Sequence, residues 1–207
     1  MDQEKFGKLI KEIRKTNNLT QKQLADKYNV TYQAVSKWEN GVNMPDISLI
    51  RQISKDFNIS LDELFDGFKI KIPSEFKIMS DEILNVKYPN GNAPSLVYTN
   101  DKTTINVVLV MNDVTMKNNQ IEEYVKTMES TYKNYSKDVK LKFWERNNHK
   151  IGEMEFTTEG SDTEIYNHII TFSVNDKLRL VNFNCTKEQM NEWQKVSKFI
   201  MDSIMFE

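Results

Sequence analysis

Apolar residues recur at helical spacing through the first third of this chain and at strand-like spacing through much of the rest. Phe6, Leu9, Ile10 and Ile13 fall at i, i+3, i+4 and i+7, which predicts one buried stripe on a helix of about four turns. Asn17-Asn18 ends it, because asparagine tolerates the left-handed backbone of a helix terminus. Thr20 and Gln23 form a capping box that opens a second helix, with Leu24, Ala25 and Tyr28 on its inner face. Asn29-Val30 predicts a turn. Thr31 then caps a third helix that points Val35 and Trp38 inward and stops at Gly41. Pro45-Asp46 starts a fourth helix with Ile47, Ile50, Ile53 and Phe57 as its stripe. Ser60 and Glu63 box the start of a fifth, which buries Leu61, Leu64 and Phe65. An all-α domain of five short helices is expected over residues 1–66.

Beyond it the period changes. Residues 68–72 alternate apolar and basic and read as a strand, and residues 67–73 serve as a short connector. A short helix is expected near 79–86, then turn-rich chain from Tyr88 to Pro94. Strands follow at 95–99 and 103–112, joined by Asn100-Asp101, and a helix covers about 118–134. Four more strands are expected at about 139–147, 149–158, 164–174 and 177–185, with hairpin turns at Asn147-Asn148 and Asn175-Asp176. Thr186 and Gln189 box a closing helix whose inner face is Met190, Trp193, Val196, Ile200 and Ile204. Short connections make the four strands an antiparallel meander, and each helix has one stripe to bury against it. Residues 74–207 therefore form an α+β domain with an antiparallel sheet flanked by helices.

Composition narrows the function classes. The chain has 207 residues, enough for two small domains, and its 39% apolar content is ordinary for a folded protein. No apolar run approaches the roughly 18 residues of a membrane span. The polar start carries no secretory signal, so no membrane partner and a cytoplasmic address are expected. Cys185 is the one cysteine and reads as a small buried apolar residue. Net charge is −2, which speaks against indiscriminate nucleic-acid binding. Residues 1–40, however, hold eight Lys or Arg against five Asp or Glu, and residues 41–66 hold two against five. The positive excess thus sits on the first three helices, where phosphate attraction would need it.

Helix three carries the most specific chemistry. With Val35 and Trp38 inward, Tyr32, Gln33, Ser36, Lys37 and Asn40 remain on its outer side. A helix fits the major groove, where glutamine can bond adenine through two hydrogen bonds and lysine can reach guanine. The competing reading is a plain solvated face on a small helical bundle.

Residues 6–65 resemble the helix-turn-helix domain of the Cro-like phage repressors, the xenobiotic-response-element type. The matching residues are Leu19-Thr20-Gln21, Leu24-Ala25, Val30-Thr31 and the run from Ala34 to Gly41. Met44-Pro45-Asp46, Leu49, Ile50, Ile53 and the run from Ile59 to Leu64 continue the match. The resemblance implies that Thr20 and Gln21 sit at the start of helix two, with Gln21 contacting a phosphate and buttressing the reading helix. It places Thr31, Tyr32, Gln33, Ser36 and Lys37 facing the groove and Asn40 near the backbone. It also implies that Glu39 pairs with Arg14. One departure is the loop Val42-Asn43-Met44, which lacks the Lys or Arg common there in relatives.

The second domain resembles the PsbP-like fold through Tyr88-Pro89, Val97-Tyr98-Thr99-Asn100, Phe183-Asn184-Cys185 and its closing amphipathic helix. That fold is shared by proteins that bind other proteins, and a fold alone implies no function. No metal, cofactor or catalytic centre is expected here. His149 and His168 are the only histidines. His168 reads as a core-edge residue, His149 as solvated beside its turn, and Glu153 and Glu155 as exposed strand charges. The expected function is sequence-specific transcription regulation by a homodimer, most readily a repressor on an inverted repeat. Double-stranded DNA is its partner, and the second domain dimerises, senses a small-molecule or protein effector, or contacts a protein. An antitoxin-like, partner-binding protein that uses the helix-turn-helix for autoregulation is the alternative.

Overall fold

A computed structural model describes residues 3–57, 67–89, 93–136, 138–160 and 162–206. The chain forms two compact units, Met1–Phe68 and Lys69–Glu207.

In the first unit the described residues form helices α1 (Gln3–Thr16), α2 (Gln21–Lys27), α3 (Tyr32–Glu39) and α4 (Ile47–Phe57). The expected fifth helix, with its Ser60 and Glu63 box, lies outside the described residues. Three helix ends close in the same way. Asn18, Asn29 and Gly41 take φ values of 55°, 55° and 65°, and the residue after each donates its N–H back to the helix: Leu19 to Arg14, Val30 to Ala25, Val42 to Lys37. These are the paired reversals that satisfy otherwise free terminal carbonyls. The starts are equally specified. Thr20 and Gln23 make a reciprocal capping box, the Thr31 side chain accepts from the Ala34 N–H, and Asp46 accepts from the Leu49 N–H. Phe6, Ile10, Ile13, Leu24, Ala25, Tyr28, Val35, Trp38, Ile50 and Ile53 are buried as a common core. A Cβ added at Gly7 would lie 2.3 Å from the Trp38 carbonyl oxygen, so glycine is what lets α1 and α3 approach this closely.

The boundary falls within a two-residue strand, β1 (Phe68–Lys69), shorter than the five residues expected. In the second unit β2 (Lys77–Ile78), α5 (Asp81–Lys87), β3 (Leu96–Thr99) and β4 (Asn106–Thr115) come first. Then follow α6 (Ile121–Tyr132), β5 (Lys140–Arg146), β6 (His149–Glu159), β7 (Glu164–Val174), β8 (Lys177–Thr186), α7 (Met190–Asp202) and β9 (Met205–Phe206). The loop before β4 is longer than a two-residue turn. The Asn100 side chain accepts from the N–H groups of Thr104 and Ile105, and this displaces the start of β4 to Asn106.

Seven strands form one sheet in the order β2-β3-β4-β8-β7-β6-β5, and every neighbouring pair is antiparallel. The chain leaves β4, crosses through α6 to the far edge and returns as the meander β5 to β8. Asn147 and Asn148 (φ 48° and 62°) and Asn175 and Asp176 (φ 51° and 54°) make its two tight hairpins, as two-residue turns with both central residues at positive φ do. On one face Ile121 and Val125 of α6 pack with Met154, Phe156 and Ile169. Leu84 of α5 packs with Val97 and Val108. On the opposite face α7 buries Ser197, Ile200 and Met201. Cys185 is buried at 1% exposure, and that burial pushes its thiol up to about 11.

Candidate nucleic-acid interface

Helix α3 separates its two sides cleanly. Val35, Trp38 and Glu39 are buried, while Thr31, Tyr32, Gln33, Lys37 and Asn40 are exposed and Ser36 is half-exposed. Tyr32 shows 56% of its surface, an unusual exposure for an aromatic ring. Eight residues of α3 are thus held by two buried apolar anchors and by one buried charge.

That charge is Glu39. Arg14 of α1 donates from Nε and Nη2 to its two carboxylate oxygens at 2.5 and 3.0 Å. Gln21, the first residue of α2, donates from Nε2 to Oε2 at 2.9 Å. Arg14 also donates to the Leu19 carbonyl at 2.8 Å. The Glu39 carboxylate therefore ties α1, α2 and α3 together, and Arg14 adds the turn after α1. Burial pushes the Glu39 carboxyl up, but the hydrogen bonds from Arg14 and Gln21 outweigh it and hold the group below its ordinary value. The bond to Glu39 in turn pushes the Arg14 guanidinium up.

The residues singled out from sequence fall into two groups. Tyr32, Gln33, Ser36 and Lys37 lie together along α3, with Asn40 donating to Ser36 Oγ at 3.5 Å. Thr20, Gln21 and Thr31 are engaged locally. Thr20 Oγ1 accepts from Gln23 N–H and Thr31 Oγ1 from Ala34 N–H. One amide hydrogen of Gln21 is committed to Glu39 of α3.

In a second group sequence reasoning misplaced the carboxylates. Glu153, expected as an exposed strand charge, is 3% exposed, while His168, expected at the edge of the core, is 2% exposed. His168 Nε2 lies 2.9 Å from Glu153 Oε1, and its Nδ1 lies 2.5 Å from Ser197 Oγ of α7. Trp144 Nε1 donates to Glu153 Oε2 at 2.7 Å, and Lys142 Nζ lies 2.8 Å from Oε1. Burial pushes Glu153 up, yet the bonds from His168 and Lys142 bring it down to about 2. Glu155, directly opposite His168 in the β6–β7 ladder, is half-buried and accepts from Tyr166 and Gln194. His149, expected to be solvated, is half-buried: its Nδ1 donates to the Ser173 carbonyl at 2.8 Å and its ring stacks on Phe206. The missed signal was cross-strand pairing, which places residues 155 and 168 side by side once the hairpin register is known.

Comparison with known proteins bears on the first unit. Residues 10–64 match the helix-turn-helix family model. Over 62 residues, 30% of this chain, it is 40% identical to the HTH-type transcriptional activator BcrR of Enterococcus faecalis, of which 30% is covered. Over 93 residues, 45% of this chain, it is 32% identical to the antitoxin PezA of Streptococcus pneumoniae, of which 59% is covered. The chain therefore spans less than two thirds of the length of either relative. Among solved structures it is similar to the PsbP protein (CyanoP) of Synechocystis sp. PCC 6803. That likeness covers 69% of this chain and 88% of that one, at 10% identity and a TM-score of 0.45. No helix among the described residues is long and apolar enough to cross a membrane.

Proposed function

We propose that this chain is a sequence-specific DNA-binding transcriptional regulator whose helix-turn-helix reads the major groove with α3. The observation that carries the reading is the exposed row Tyr32, Gln33, Ser36 and Lys37 on a helix fixed from behind by Val35, Trp38 and the Glu39–Arg14–Gln21 cluster. A reading helix must hold its base contacts rigidly, and this one has both the donors and the support.

In this reading Gln33 and Lys37 contact base edges, while Thr31, Tyr32 and Ser36 contact bases or phosphates. Thr20, Gln21 and Asn40 flank the groove near the phosphate backbone. Residues 1–66 read DNA and residues 67–73 connect them to residues 74–207, which dimerise, sense an effector or contact a protein. Two copies bind an inverted repeat with half-sites about 34 Å apart, and occupancy of a promoter represses it. Selection from random duplexes tests this: a recovered palindromic consensus supports it, and no enrichment over scrambled competitor overturns it.

The antitoxin relative favours a second reading, in which the helix-turn-helix serves autoregulation and residues 74–207 capture a protein. Coprecipitation separates the two. A stoichiometric protein partner favours the second reading, and a chain recovered alone with its operator favours the first.

A further inference from the structure

We propose that Glu153, Glu155 and His168 form a binding site for one first-row divalent transition-metal ion, independent of DNA reading. One ligand atom from each of the three lies within 4.8 Å of the others. Metal–ligand distances of about 2.0–2.2 Å place tetrahedral donors about 3.3–3.6 Å apart, with about 4.4 Å the limit for two donors on opposite sides of the ion. Rotation of the Glu155 side chain that draws the set together by about 1 Å closes the shell. One imidazole nitrogen and two carboxylate oxygens suit zinc, cobalt, manganese or iron better than magnesium or calcium, which favour all-oxygen shells.

Three details fit an ion better than a purely structural polar cluster. Two carboxylates sit against one histidine in a part of the sheet where Glu153 is 3% exposed, and a divalent cation would offset both charges at once, a task otherwise left to Lys142 and His168. The ammonium nearest Glu153 is Lys142, whose side chain is 55% exposed and can swing into solvent. Glu155 uses only Oε2 for its bonds to Tyr166 and Gln194. Its Oε1 accepts none among the described residues, and Glu155 is the most exposed of the three ligands, so it gives an ion its way in. Ser197 supplies the outer support. When Nε2 holds a metal, the ring keeps its proton on Nδ1, and Ser197 Oγ at 2.5 Å accepts it. A hydroxyl both donates and accepts, so this partner suits either tautomer and fixes the ring plane.

The test uses the full, tag-free chain after chelation and dialysis, titrated with Co²⁺ and Zn²⁺ by absorption spectroscopy and calorimetry. One ion per chain is expected, with Co²⁺ visible bands and displacement by Zn²⁺ but not by equimolar Mg²⁺. Glu155→Gln keeps the bonds to Tyr166 and Gln194 and should weaken binding at least about 10-fold. Lys142→Met removes the competing ammonium and should tighten binding, a gain that a merely structural cluster would not show. The site is overturned if the wild type and Lys142→Met both fail to bind while circular dichroism shows them folded. It is equally overturned if Glu155→Gln binds as well as wild type, because the ion then sits elsewhere.

Discussion

Gln33 and Glu39 show the two tasks a residue on α3 performs. Gln33 is exposed, so its truncation should change stability by less than about 0.5 kcal/mol. On the selected operator, Gln33→Ala should cost about 1–3 kcal/mol and relax preference at one base pair. Gel-shift titration against single-base operator variants reads both effects, and unchanged preference would mean that α3 is not the reader. Glu39 is the opposite case. Its carboxylate is buried and shared by Arg14 and Gln21. Glu39→Ala leaves a guanidinium whose side chain is only 13% exposed without its partner, and should cost about 3 kcal/mol. The pairing also fixes a pH dependence. The folded-state pKa lies below the unfolded value of about 4.3, so the stabilisation is complete above that value and is lost as pH falls through the folded pKa. Protection factors across α3, which normalise hydrogen exchange for its intrinsic slowing in acid, should fall below about pH 4 in the wild type and change less in Glu39→Gln.

Elements were legible from sequence wherever local chemistry decides them. The caps at Thr20, Thr31 and Thr186 and the reversals at Asn18, Asn29 and Gly41 depend on residues a few positions apart, and they stand where the pattern put them. The four meander strands and both asparagine hairpins were equally visible. What local pattern does not hold is register and layer contact. Glu155 meets His168 only because Glu159 pairs Glu164 across the β6–β7 loop, and no residue type in that loop announces its geometry. Gly152 is another such position. Its missing side chain matters only because Val125 of α6 lies above it, where an added Cβ would come within 2.6 Å of a Val125 methyl. Gly152→Ala should therefore cost about 1–3 kcal/mol through overpacking. Cys185 provides the readout, being buried on β8 of the same sheet. Its thiol should react with a disulfide reagent about 5–150-fold faster in Gly152→Ala. Adding Val125→Ala should remove the increment due to Gly152→Ala, and an increment that persists would place the strain elsewhere.

At the scale of the molecule, the proposed reading by α3 calls for two copies on DNA, on grounds of charge and of the helix's size. The chain is net negative by two charges, so bulk attraction to phosphate contributes little and affinity must come from placed contacts. Helix α3 has eight residues and exposes only a few side chains able to reach base edges. Each correct base pair is worth about 1–3 kcal/mol of discrimination, so one reader distinguishes its site poorly from a genome of competitors, and two coupled readers multiply the discrimination. Coupling makes spacing decisive. An insertion of about five base pairs at the centre of the operator turns one half-site to the opposite side of the duplex. Two helices joined through one dimer cannot then both enter their grooves. Mass photometry should then show one-site binding at much lower affinity in place of a two-chain complex, with each half-site sequence untouched. Full affinity on the expanded operator would show that the copies bind independently, and the regulator would then have to find its target with one α3 at a time.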